Sequence, residues 1–152
     1  MDENPAKKNL LLTIIYSVEK TLWDALGKSS FALLPFIGEN LCEELNISTC
    51  EDEYESSGNA IKTVSGDFVK LGIFDSLSMS DSDSKIDVTI NGCMLLPVEK
   101  KLLESGVKPF VCPVMNSMMY VLRERVRVKA RVKSITVDDR KGVCNIVIEK
   151  IL

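Results

Sequence analysis

The apolar residues of this chain change their period partway along, and that change limits the folds open to it. From Asn9 to Leu26, Leu11, Ile15, Val18, Leu22 and Leu26 recur at spacings of three and four, as an amphipathic helix requires. Leu10, Leu12, Ile14 and Trp23 widen the apolar face beyond one stripe. A helix apolar on two sides is expected to be buried on two sides, by its own core and by a second subunit. A second helix is expected from Ser29 or Ser30 through Phe31, Leu33, Leu34, Ile37, Leu41 and Leu45, with Gly27 capping the first and Pro35 tolerated in the early turns. Gly38 falls within it. A glycine there costs about 1 kcal/mol relative to alanine and often lets a neighbour come close. The acidic segment Cys50 to Asn59 reads as a loop, and Ala60 to Leu71 as a third helix with Ile61, Val64, Phe68 and Leu71 on one face.

Beyond Gly72 the alternation is that of strands. Phe74 to Met79 alternates, and Ile86, Val88 and Ile90 alternate with Asp87, Thr89 and Asn91. Pro97 suits the first position of a helix from Val98 to Leu103, and Pro113 that of a helix ending near Arg123. Val126, Val128, Ala130 and Val132 alternate with Arg127, Lys129, Arg131 and Lys133, which predicts a strand with one basic face; Val143 to Ile151 is the last strand. The order is three helices, two strands, two helices, two strands. Strands in hairpin-like pairs predict an α+β fold, a twisted antiparallel sheet of about four strands packed against a helical layer. No repeat or linker divides residues 1–152, so a single domain is expected, with residues 1–8 polar and frayed.

The chain has no histidine. That excludes Ser-His-Asp and Cys-His catalysis and any metal site that needs imidazole. A formal charge of −3 and a pI near 5.1 argue against a nucleic-acid partner. The run Arg123, Arg125, Arg127, Lys129, Arg131, Lys133 has no interleaved aromatic residues for stacking on bases, and reads as a solvated face that discourages edge pairing. The apolar run LLLTII is followed at once by Glu19, Lys20 and Asp24, and nothing approaches the ~20 apolar residues of a membrane span. Five widely spaced cysteines, without a C-x-x-C pair, do not resemble a secreted disulfide framework. Reduced thiols in a cytoplasmic protein are the expectation.

Three constellations carry candidate chemistry. Cys112 stands directly before Pro113, at a helix N-terminus, where the dipole favours thiolate. It reads either as a reactive thiol or metal ligand, or as the small buried hydrophobe that free cysteine usually is. Cys93, Cys112 and Cys144 fall in one half of the chain and could converge on zinc or another soft metal, although the spacing matches no compact zinc motif. Met115, Met118 and Met119 make an adaptable apolar wall, either core or the side of a pocket. In the pocket reading, Phe36, Ile37, Phe68, Met115 and Met119 line a cavity for an apolar or acyl ligand, with Cys112 at its rim. No general acid–base pair stands out, so a binding function is better supported than a reaction, with a cysteine-based redox or metal sensor and an interaction scaffold as the alternatives.

Three segments resemble a known group. LGKSSFALLPFIGENLCEEL (Leu26 to Leu45) is similar to its early helix with an internal glycine. VTINGCMLLP (Val88 to Pro97) is similar to its strand ending in a polar turn and cysteine. PFVCPVMNSMMYVLRERV (Pro109 to Val126) is similar to its helix that begins at a cysteine. The group is the 4-vinyl-reductase-type small-molecule-binding domain, associated with hydrocarbons, whose fold the TRAPP vesicle-tethering core subunits share. The resemblance implies a helical layer on a twisted antiparallel sheet, an apolar cavity between helices, and a homodimer through the N-terminal helix. Members often carry a histidine near the C-terminal cysteine; this chain has none, so neither a metal site nor reductase activity carries over from the group.

Overall fold

The computed structural model describes residues 4–151. Helix α1 spans Pro5–Leu26. Asn4 caps it by accepting the Ala6 amide at 3.0 Å, and Pro5 supplies the first turn. The helix therefore begins before its apolar pattern does. Of the residues expected to fray, 5–8 are helical; residues 1–3 lie outside the described residues. Gly27, at φ +57°, ends α1 and turns its amide to the Trp23 carbonyl.

The expected second helix is two elements. Gly27–Leu33 forms a 3-10 segment, and α2 runs from Leu34–Glu44 with Pro35 in its first turn. Proline is favoured at a helix start, so it marks the beginning of α2. The acidic segment is also only partly loop. Ser48–Glu51 forms a 3-10 turn, and α3 begins at Ser57, capped by the Ser56 hydroxyl on the Asn59 amide, and runs to Lys70. Cys42, at the end of α2, and Cys50, in that turn, are joined by a disulfide. The expectation of five reduced thiols is corrected on this point; the turn after α2 brings two cysteines eight residues apart to a Cα separation of 6.1 Å, within disulfide range.

Strands β1 (Ser76–Asp81), β2 (Lys85–Asn91), β3 (Ala130–Asp138) and β4 (Val143–Lys150) form one antiparallel sheet in the order β1-β2-β4-β3. In the central pair, Ile86, Val88 and Ile90 face Ile148, Ile146 and Cys144, and all six are buried. The opposite face carries Thr89, whose hydroxyl donates to Asn145 Oδ1 at 2.9 Å. Helices α2, α3 and α5 (Pro113–Val121) share one core with the buried face of the sheet. Helix α4 (Leu96–Glu104) buries Val98 and Leu102 against Leu12, Ile15, Tyr16 and Trp23 of α1. The fold is α+β, as the alternation predicts.

The basic strand departs from expectation. After α5 the chain makes a π-helical turn, Leu122–Val126, which ends at Arg127 with φ +64°. Arg123, Arg125, Arg127 and Lys129 therefore precede β3, and Lys133 sits at a bulge between Val132 and Ser134. Arg125 turns back instead, donating from Nε to the Cys50 carbonyl at 3.1 Å and pairing with Glu51. The tie to the Cys50 turn competes with the alternation and wins. No helix among the described residues is long and apolar enough to cross a membrane.

Candidate functional site

Three free cysteines and one glutamate gather at one end of the sheet. Strand β2 ends at Asn91, and Gly92, at φ +69°, turns the chain. A side chain at Gly92 would collide with Asp75, since a Cβ would lie 2.0 Å from its Oδ2. The Gly92 amide bonds to the Gly142 carbonyl at 3.0 Å, joining this turn to the one before β4. Cys93 follows Gly92, and Cys144 lies in β4 opposite Ile90, so the two thiols share one end of the sheet. Pro97 then starts α4 and sets Glu99 in its first turn. Cys112 is the residue before α5; its amide is bound by Asn116 Oδ1 at 2.9 Å, while Asn116 Nδ2 donates to the Phe110 carbonyl at 2.8 Å.

All four groups are buried, with Cys112 and Glu99 each 1% exposed. Burial pushes the Cys93 thiol up to about 11, with the Glu99 charge adding to it. Burial and then Glu99 hold the Cys144 thiol far above its ordinary value. Cys112 is raised well above the usual thiol range by burial first, then by the charges of Glu99, Cys93 and Cys144. Of the two readings of Cys112, the buried small hydrophobe is favoured over the reactive thiol: removal of water outweighs the helix N-terminus behind it. Glu99 is raised by burial too, held down in part by the thiols of Cys144 and Cys112 acting as donors. Its Oε2 has no hydrogen-bond partner among the described residues. Among the described residues, no basic side chain is one of the groups that act on it.

A second buried carboxylate stands behind the first. Glu19, on α1, is 1% exposed and receives the amides of Phe110 and Val111 at 2.6 and 2.8 Å on Oε1. Its Oε2 has no hydrogen-bond partner among the described residues either. Desolvation raises it to about 7, and the Glu99 charge contributes in the same direction. Glu19 thereby fastens α1 to the backbone that leads into Cys112. Neither glutamate was singled out by periodicity, although both carry a signal. Glu19 falls four residues after Ile15, and Glu99 four after Leu95 and three before Leu102, each on an apolar stripe.

Cys93, Cys112 and Cys144, the three expected metal candidates, are thus electrostatic neighbours, joined by Glu99. Among the described residues, no group of three or more His, Cys, Asp or Glu side chains is so placed that it could hold a metal ion as it stands. The residues expected to line an apolar cavity separate. Phe68 and Met115 are fully buried in the core, and Ile37 packs on it half-buried. Met119 is buried but borders a surface groove. Phe36 is 55% exposed beneath the Arg123 guanidinium, 5.3 Å from its ring centre, and stands apart from the buried members of the set.

No curated protein matches this chain. The family model described as "Putative rubredoxin C-terminal domain" matches residues 10–151, nearly the whole sequence, and the chain belongs to that family.

Proposed function

We propose that this domain binds one soft divalent metal ion through Cys93, Cys112, Cys144 and Glu99. The observation that carries the reading is the Glu99 Oε2 atom: a buried carboxylate oxygen that, among the described residues, has no hydrogen-bond partner and no cation acting on it, set among three buried thiols. An isolated charge in such a place is costly, and proteins resolve it by pairing, protonation or metal binding. A divalent ion would reverse the local logic, since a coordinating thiol is deprotonated outright. Cysteine thiolates with one carboxylate suit Zn²⁺ or Fe²⁺. A site with four cysteine ligands does not fit these residues, because the Cys42–Cys50 pairing leaves three free thiols. The family description, which names a rubredoxin, accords with a metal or redox role.

A closed set of four protein donors has a structural character, with no open position for substrate. Thiol-based redox sensing without metal is less well supported, because burial raises all three thiols above their ordinary range and so disfavours the nucleophilic thiolate. The test is elemental analysis of protein purified without chelator, followed by Co²⁺ substitution. One ion per chain is expected, with thiolate-to-cobalt absorption that is lost in Cys112→Ser and weakened in Glu99→Gln. Protein that takes up no metal after anaerobic incubation with Zn²⁺, Fe²⁺ or Co²⁺ would sink the proposal.

A further inference from the structure

We propose a second site, independent of the thiol cluster, that binds a small amphipathic carboxylate: an apolar aliphatic or aromatic body with one anionic head. It is the groove between the 3-10 segment, the start of α2 and strand β3, with a volume of about 630 Å³. That size lies within the range of small-molecule sites. Phe31, Leu34, Met119 and Val132 supply the apolar lining. Lys28, Lys108, Arg123 and Arg131 bring four cations, and among the described residues no carboxylate lines the groove.

The four cations are not equally free. Arg123 pairs with Glu124 and Arg131 with Glu149, both outside the groove. Lys28 and Lys108 have no ion pair among the described residues; Lys108 only lies over the Phe31 ring, 6.0 Å from its centre. Two uncommitted ammonium groups beside an apolar wall recognise an anion whose body must leave water. The groove also continues: a second hollow of about 270 Å³ shares Pro35, Met119, Arg123 and Ala130 with it and extends to Val128 and Ile151. An elongated body can follow that path from the cationic mouth. Met119 is one of the four residues common to both hollows, and its unbranched thioether adapts to different apolar shapes. An apolar ligand thus has a place on this molecule outside the solid core of Phe68 and Met115, and the charge of its head is specified.

The test uses laurate below its micellar concentration, with dodecanol and dodecyltrimethylammonium as neutral and cationic controls, by titration calorimetry on the intact chain. Laurate is expected to bind one to one, with dodecanol at least about tenfold weaker, because only the head-group charge differs. In Lys28→Glu/Lys108→Glu, laurate affinity falls at least about tenfold, while dodecanol affinity holds. Both side chains are at the surface, so far-UV circular dichroism should match wild type. Ala32→Trp, which fills the groove from its exposed rim, should abolish binding of both. Four outcomes overturn the proposal: no laurate binding, equal affinity for laurate and dodecanol, indifference to charge reversal, or attachment to anionic phosphatidylglycerol vesicles without binding of monomeric laurate.

Discussion

Glu19 sets a carboxylate where water does not reach it, and this has a measurable pH signature. Its folded value near 7 lies above the ordinary 4.5. Between those limits the folded chain keeps a proton that the unfolded chain has lost. Stability from this group is therefore full below about pH 4.5 and is lost as pH rises through 7. At about 1.4 kcal/mol per pH unit, the loss is about 3 kcal/mol. Glu19→Gln keeps an acceptor for the Phe110 and Val111 amides and removes the proton, so its urea midpoint should change less than that of wild type between pH 5 and 8. Parallel profiles for the two proteins would assign the pH dependence to other groups. The three thiols could be picked out in sequence because cysteine is rare and each stands beside a strand end or a proline. Glu99 and Glu19 carry a weaker signal, their place on an apolar stripe, because a glutamate in a helix ordinarily faces water; tertiary packing buries both here.

At the scale of elements, the close contact is between α2 and α5. A Cβ on Gly38 would lie 2.0 Å from the Asn116 carbonyl oxygen and 2.5 Å from its carbon. Both atoms belong to backbone, so the helices themselves would have to part. Asn116 cannot yield cheaply, since its side chain also fixes Cys112 and Phe110. Gly38→Ala should therefore destabilise by about 3 kcal/mol, the upper range of overpacking, despite the gain of about 1 kcal/mol in helix propensity. Gly66→Ala is the control: nothing lies within 4 Å of its added Cβ in α3, and it should stabilise by about 0.5–1 kcal/mol. Thermal melts of both decide; a neutral Gly38→Ala would mean that the helices separate easily. The need for a glycine was legible, because a mid-helix glycine is costly without a reason, but which neighbour came close was not. The strands β2 and β4 were legible because burial on one face imposes a period of two. The start of β3 was not, because alternation between Val126 and Lys133 carries no sign of the left-handed Arg127 or of the Arg125 tie to Cys50.

For the whole molecule, the open matter is the outer face of α1. At 22 residues and 1.5 Å per residue, this helix is about 33 Å long. Leu10, Ile14 and Val18, spaced by four, and Leu11 beside them remain exposed. The inner face is taken up by α4 through Leu12, Ile15 and Trp23, so the two-sided apolar pattern has one side covered and one bare. Three hydroxyls near the bare side are already satisfied: Thr13, Ser17 and Thr21 each donate to the carbonyl four residues earlier, at 2.8, 2.8 and 2.7 Å. Covering them would leave no donor unpaired, which removes the usual penalty for burying polar atoms. A second copy of α1 meets these conditions, because a two-fold contact needs only one patch that is complementary to itself. We therefore expect a homodimer through the Leu10, Ile14 and Val18 row. Trp23 is unsuited to testing it, since it packs edge-on to Phe31 at 6.2 Å between ring centres and supports the monomer. Ile14→Glu with Val18→Glu is the better probe, as both side chains are exposed in the single chain and their replacement should leave the fold intact. Light scattering should give a dimer for wild type and a monomer for the double variant. A wild-type monomer at micromolar concentration would show that the row is covered by something other than a second copy or stays in water.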